Sequence, residues 1–195
     1  NTEHGPEMDS DASQNQWSID PDRFHPIVDS CLLKFGPEHY FVNFIENHDT
    51  DRFATIVDGD QRILKLAAVL LATLPGTPSI YYGQELGLTG KIGDWGSDAN
   101  HIPVREAFPW KPDVKASGIA AFYKDTGPWW DESFYQTDDI QDLALSKQKL
   151  DRNSTWHHYR DVLNLRKEHA CLRIGNYIPV AQSENNLIVF KRSYM

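Results

Sequence analysis

At 195 residues, 40% hydrophobic and 24% charged, the chain has the composition of a folded globular protein, not of a disordered one. Its formal net charge of -9 leaves no broad basic surface, which argues against nucleic acid and anionic membrane as partners and favours neutral or cationic ligands. The most apolar run, residues 64–74, is interrupted by Lys65 and is well short of the about 20 residues that a bilayer crossing needs.

Residues 1–19 are polar, with Gly5 and Pro6, and read as an exposed loop without the basic start and apolar centre of a signal peptide. A helix is expected from Asp20, which can cap it, with Pro21 at its first position and Gly36-Pro37 as its stop. Residues 40–46 are apolar without alternation, which predicts a strand buried on both faces. Residues 60–74 form a second expected helix, apolar nearly all round and ended by Pro75-Gly76, so both of its sides need cover. Residues 78–82 then give a second short strand, stopped by Gly83. Strand, helix, strand in this order is a parallel crossover unit.

The stretch 83–151 is irregular, with short helices expected near 116–123 and 138–149, and connections of this length are usually functional. Asn153-Ser154 caps a helix through His169, whose last turn carries Arg166, Lys167 and His169, where cations suit the helix dipole. Strands near 177–180 and 187–191 look like the start of a new sheet. Two parallel strands with open edges do not make a self-sufficient sheet, so the chain is expected to be a piece of a larger domain, inactive and aggregation-prone in isolation.

The strand at 40–46 empties without a turn glycine or proline into Glu46-Asn47-His48-Asp49-Thr50-Asp51-Arg52. Polar groups just past the C-terminal end of a parallel strand are where α/β barrels and open α/β sheets place their chemistry. Arg52 suits an ion pair with Glu46 or Asp51 as well as it suits contact with substrate. Trp129 and Trp130 suit a flat stacking platform for a ligand or loop anchors; Trp95 and Trp110 read as packing, and Tyr82 as core close enough to the strand end to touch ligand. Glu85, Asp94 and Asp98 match no calcium-loop spacing and read as solvated carboxylates. Cys31 and Cys171 match no metal-ligand spacing and define no disulfide framework.

Four stretches in order resemble the α-amylase family, glycoside hydrolase family 13. "FIENHDTDRF" is similar to the family's fourth conserved region at the end of barrel strand seven, and "GTPSIYYGQELG" to strand eight and its turn. "IPVREAFPW" resembles the loop that carries a substrate-binding arginine, and "NSTWHHYRDVLNLRKEHACLRIGNY" the last barrel helix entering the C-terminal β-sandwich. The resemblance implies the C-terminal part of a TIM (β/α)8 barrel over residues 1–172, with strands seven and eight and their helices, and the start of a β-sandwich domain over 173–195. By the same resemblance Asp49 is the transition-state-stabilising catalytic carboxylate, His48 the histidine on the same sugar hydroxyls, and Arg105 a substrate-binding arginine. Arg105 is expected at the site in preference to pairing with Glu106. Asn47, Arg52, Tyr82, Trp129 and Trp130 complete the candidate substrate contacts, and no residue is assigned to a metal.

The family's retaining mechanism also needs a nucleophilic aspartate and a proton-donating glutamate, ~5 Å apart. Neither of their motifs occurs here, so both are expected outside this chain. The implied activity is hydrolysis of α-1,4-glucosidic bonds in starch or maltooligosaccharides, against two rivals: transglycosylation, and a catalytically dead carbohydrate- or partner-binding scaffold. The implied partners are an α-glucan and the remainder of the barrel. No cofactor is implied in this segment, Ca2+ is compatible with a complete enzyme, and an extracellular or periplasmic location is favoured over a cytoplasmic one.

Overall fold

The computed structural model describes residues 20–36, 41–180 and 187–194. The loop expected at 1–19, together with Pro37 and Tyr40, lies outside the described residues. Helix α1, Pro21–Phe35, starts as expected: the Asp20 side chain accepts from the Asp22 amide at 2.9 Å, and Gly36, at φ 67°, ends it. Strand β1, Val42–Asn43, pairs in parallel with β2, Thr77–Pro78, through Val42↔Thr77 and Asn43↔Pro78. Between them come the short helix α2, Phe53–Ile56, and α3, Gln61–Thr73. The strand–helix–strand order is thus present, but the ladder is far shorter than the apolar runs that announced it.

One expectation for β1 is corrected: Val42 is 58% exposed and Phe44 55%, so the strand is not buried on both faces. The reason is geometric. Among the described residues β2 is its only strand neighbour, and Val42, Phe44, Ala67 and Leu70 line an open apolar groove between strand and helix. Leu66 of α3 is likewise half exposed, so that helix is covered on one side only.

Beyond β2 the chain forms 3₁₀ turns at Gln84–Leu86, Asp98–Val104, Pro128–Trp130 and Phe134–Gln136, then α4, Ile140–Leu143, and α5, Leu145–Gln148. No helix forms at 116–123, where Gly118 takes φ 92° and breaks the run. The segment nevertheless has its own interior. Leu86 and Leu88 pack with Phe134, Ile140, Leu143 and Leu145, while Ala107, Tyr123 and Trp130 form a second cluster beside them.

Helix α6, Thr155–Glu168, begins at Ser154, whose hydroxyl accepts from the His157 amide. It lies along α3, joined by Thr155 Oγ1 to Gln61 Oε1 at 2.5 Å and by His158 Nε2 to the Lys65 carbonyl at 3.0 Å. Helix α7, Ala170–Ile174, was not anticipated, and it runs across residue 172, so the change from helix to strand falls at Gly175. Strands β3, Asn176–Pro179, and β4, Phe190–Ser193, form the antiparallel pair with which the described chain ends.

Arg166 on α6 joins these parts. Nearly buried, it donates from Nη1 to the carbonyls of Ala72 and Leu172 at 2.8 and 2.6 Å, and from Nη2 to Gly76 at 2.5 Å. These acceptors include carbonyls at the C-terminal end of α3, which the helix itself cannot satisfy. Arg166→Met should therefore destabilise the protein by about 3 kcal/mol, as loss of a buried charged partner does. Chemical denaturation checks this, and a change below about 0.5 kcal/mol, the range of an ordinary surface substitution, would refute the role.

Candidate active site

Asn47–Asp51 protrude from the end of β1, and the turn is closed at its base. Glu46 and Arg52, both almost fully buried, meet at 2.8 Å between Oε1 and Nη1, and Glu46 Oε2 accepts the Phe53 amide at 2.6 Å. Arg52 Nη1 also donates to the Tyr82 carbonyl at 2.8 Å, and its guanidinium lies 4.1 Å from the Tyr81 ring centre. Burial pushes the Glu46 carboxyl up, against the pull of Arg52 and the Phe53 amide. The expected substrate contact of Arg52 is therefore corrected. At 1% exposure its cation is enclosed by Glu46 and the Tyr81–Tyr82 strand end, and only the ion-pair alternative is realised.

Above this base the turn is held locally. Asn47 Oδ1 accepts the Asp49 amide at 2.8 Å, and Thr50 Oγ1 accepts the Asn47 amide at 3.1 Å, so the Asn47 side chain shapes the turn that presents its neighbours. Asp51 turns to cap the Ile92 amide at 2.7 Å. His48 and Asp49 are left exposed at the apex, with His48 Nε2 3.1 Å from Asp49 Oδ2.

The third participant arrives from the 3₁₀ turn that ends at Val104. Arg105 Nη2 donates to Asp49 Oδ1 at 3.0 Å and its Nε to the His48 carbonyl at 3.0 Å; Asp98 stands 4.0 Å from its Nη1. Asp49 thus has a cation on one oxygen and an imidazole on the other. Gly90 brings the two segments together: its carbonyl accepts the Arg52 amide at 2.9 Å, and a Cβ there would collide with the Pro103 carbonyl. The close approach requires glycine.

Tyr82 is half exposed, but its hydroxyl donates to the Glu106 carbonyl at 2.8 Å. Trp129 and Trp130 do not form a shared platform. In a 3₁₀ turn successive side chains diverge by a third of a revolution, and Trp130 is buried between Tyr123 and Tyr135. Trp129 faces Trp95 edge-on at 5.8 Å between ring centres and donates from Nε1 to Thr126 Oγ1 at 3.1 Å. Trp110 differs from the packing expectation, being half exposed against Phe108. Among the described residues no group of three or more His, Cys, Asp or Glu is placed to hold a metal ion.

Glu106 escaped the sequence reading. It is 2% exposed, and its Oε2 accepts the Tyr123 hydroxyl at 2.9 Å and the Ser133 hydroxyl. Burial raises its carboxyl to about 7, only partly offset by Ser133 and Tyr123. A charged residue inside the apolar context of "IPVREAFPW" is the signal that could have found it.

Two outcomes follow from these buried groups. Arg52→Met should cost about 3–5 kcal/mol by leaving Glu46 charged and enclosed, and Glu46→Gln in that background should restore part of it; a double variant no more stable than Arg52→Met would refute the pairing. For Glu106 the unfolded carboxyl titrates near 4.5 and the folded one near 7, so the unfolded state loses its proton first as pH rises. Stability relative to Glu106→Gln is then fully present below pH 4.5 and is lost by about pH 7, a fall of about 3 kcal/mol. Denaturation curves of both proteins between pH 4.5 and 8 measure it, and a difference that stays constant or grows with pH counts against the buried carboxyl.

Comparison with known proteins places this chain in a family. The alpha amylase catalytic domain model matches residues 4–175. The chain is 31% identical over 157 residues to a 4-alpha-glucanotransferase of Thermotoga neapolitana, covering 80% of this chain and 33% of that protein. It is 30% identical over 172 residues to an oligo-1,6-glucosidase of Halalkalibacterium halodurans, covering 76% and 31%, and 29% identical over 148 residues to Alpha-amylase 3 of Dictyoglomus thermophilum, covering 76% and 26%. The chain thus spans about a quarter to a third of the length of these curated relatives. In structure it is similar to the alpha-amylase from H. orenii, with a TM-score of 0.67, 22% identity and coverage of 89% of this chain and 32% of that one. The isomaltulose synthase from Klebsiella sp. LX3 gives 0.68, 18%, 92% and 36%. These likenesses identify the fold as part of an alpha-amylase-type TIM barrel. With its four motifs in order, its parallel strands and a family match across 4–175, the chain belongs to the alpha-amylase catalytic domain family.

Proposed function

We propose that this chain supplies the transition-state-stabilising side of a retaining enzyme that hydrolyses α-1,4-glucosidic bonds in starch and maltooligosaccharides, with Asp49 and His48 as catalytic residues. The observation that carries the reading is the exposed Arg105–Asp49–His48 group at the C-terminal end of a parallel strand. A carboxylate offers two oxygens with about four acceptor positions between them. Arg105 and His48 occupy one position on each oxygen, which fixes the plane of the group and leaves further acceptor positions for a pair of neighbouring sugar hydroxyls. Bonds to the 2-hydroxyl that tighten as the oxocarbenium-like state forms supply several kcal/mol. His48 serves the same hydroxyls, and Arg105, half buried, reaches sugar beside them.

In this reading the nucleophile and the general acid belong to the rest of the barrel, in the same or another polypeptide, and these 195 residues do not cleave a bond alone. The barrel portion is taken as 1–172 and the opening of a β-sandwich as 173–195; helix α7 spans that boundary, and the antiparallel strands begin just beyond it at Asn176. A second reading, transfer of the glycosyl group to another sugar, is favoured by the likeness to the Thermotoga neapolitana glucanotransferase. The same residues serve both reactions, since only the acceptor that takes the glycosyl group differs.

In the complete enzyme Asp49→Asn should lower turnover on starch by several orders of magnitude while the circular dichroism spectrum and melting curve stay close to wild type. An Asp49→Asn enzyme that keeps most of its turnover would sink the assignment. Product analysis of the wild type, glucose units released as free sugars against sugars lengthened by transfer, separates the two readings.

A further inference from the structure

Arg105 and Glu106 are adjacent, yet their side chains serve opposite surroundings: one is half exposed on Asp49, the other 2% exposed beneath it. The polar groups around Glu106 are bonded to one another. Its carbonyl accepts the hydroxyl of Tyr82, four residues past β2, at 2.8 Å. Its carboxyl accepts the hydroxyls of Tyr123 and Ser133, which lie 17 and 27 residues further along the chain. The next residue continues the pattern, because the Ala107 amide donates to the Tyr123 hydroxyl at 3.0 Å and the Ala107 carbonyl accepts the Tyr135 hydroxyl at 3.0 Å. Three tyrosines and a serine from three separate segments thus converge on two consecutive residues of the backbone that bears Arg105.

We infer that Glu106 is a positioning residue: its buried carboxyl locks the 123–135 segment onto the Arg105 backbone and thereby sets how the Arg105 guanidinium meets Asp49. The inference rests on the reading of Asp49 as a catalytic carboxylate. A polar group with two hydroxyl partners, enclosed on all sides, has one low-energy placement, because any shift leaves a buried donor or acceptor without a partner. The residue before it inherits that placement. Arg105 is otherwise a long side chain on the end of a 3₁₀ turn, and its two bonds, to Asp49 Oδ1 and the His48 carbonyl, require the backbone to stand at a fixed distance from the apex of the turn after β1.

The test is a double-mutant cycle in the complete enzyme. Glu106→Ala should lower kcat/KM per folded molecule on maltooligosaccharides by between about tenfold and a hundredfold, as small misplacements of a positioning group do. Glu106→Gln, which keeps an acceptor oxygen in the same shape, should restore most of it. In an Arg105→Ala background the Glu106→Ala loss should vanish, since nothing remains to be positioned. Where turnover of the double variant is too low to measure, maltooligosaccharide affinity by titration calorimetry supplies the same cycle. If Glu106→Ala does not fold, Tyr123→Phe, which deletes one of the two carboxyl bonds, takes its place with a smaller loss that should also vanish without Arg105. A Glu106→Ala or Tyr123→Phe enzyme with unaltered kcat/KM, or a loss undiminished in the Arg105→Ala background, overturns the inference. The two levels separate: an active Asp49→Asn enzyme overturns the reading of the site, whereas an inactive one combined with additive Glu106 and Arg105 effects overturns only the positioning role.

Discussion

Two opposite charges buried six residues apart on either side of a turn leave the backbone between them little choice. Glu46, three residues past β1, lies inside the protein and Arg52 must return to it, because either charge enclosed without the other is strongly unfavourable. The intervening Asn47–Asp51 cannot enter the space the pair occupies, so they stand outward, shaped by the Asn47 and Thr50 side chains. Exposure of His48 and Asp49 is thus a product of the burial below them. Because Arg52 also takes the Tyr82 carbonyl, the same pair fixes the turn against the neighbouring strand end, from which Tyr82 reaches on to the Arg105 loop.

Much of this was legible in residue order. The helices α1 and α6 announced themselves by their caps, Asp20 and Ser154, each of which accepts a backbone amide, and α3 by its apolar run and the Pro75-Gly76 stop, its Asp60 cap being visible only in the structure. The polar turn after β1 stood out because no ordinary connection spends so many charges without glycine or proline. What stayed hidden depends on long-range partners. Arg52 was open between three fates until Glu46 and Tyr82 closed around it. Trp129 and Trp130 are adjacent in sequence, and only the 3₁₀ turn sends Trp130 into the core and Trp129 onto Trp95. Glu106 meets residues 17 and 27 positions away, a spacing with no periodic signature. The apolar runs of β1 and α3, in turn, recorded burial that the described residues do not themselves supply.

Helices α3 and α6 form the support behind the two strands, and Arg166 joins them through carbonyl groups alone. An arginine is suited to that place because it offers several donors in one plane and no acceptor. The likeness to solved structures at 18–22% identity extends over about nine-tenths of the chain: the architecture persists at a similarity too low to carry substrate choice. Within one family the curated relatives split between a glucanotransferase, a glucosidase and an amylase, so the differences in chemistry must be sought around the shared strand ends.

The segment after β2 packs Leu86 and Leu88 against Phe134, Ile140, Leu143 and Leu145, and Ala107 against Tyr123 and Trp130, largely from its own residues. A rim built this way supplies much of its own hydrophobic interior, with Trp156 of α6 closing one side. The rim is tied to the turn below it at a few points, the Gly90 carbonyl on the Arg52 amide, the Tyr82 hydroxyl on the Glu106 carbonyl and Arg105 on Asp49, so its remaining side chains can vary while those contacts hold the site in place.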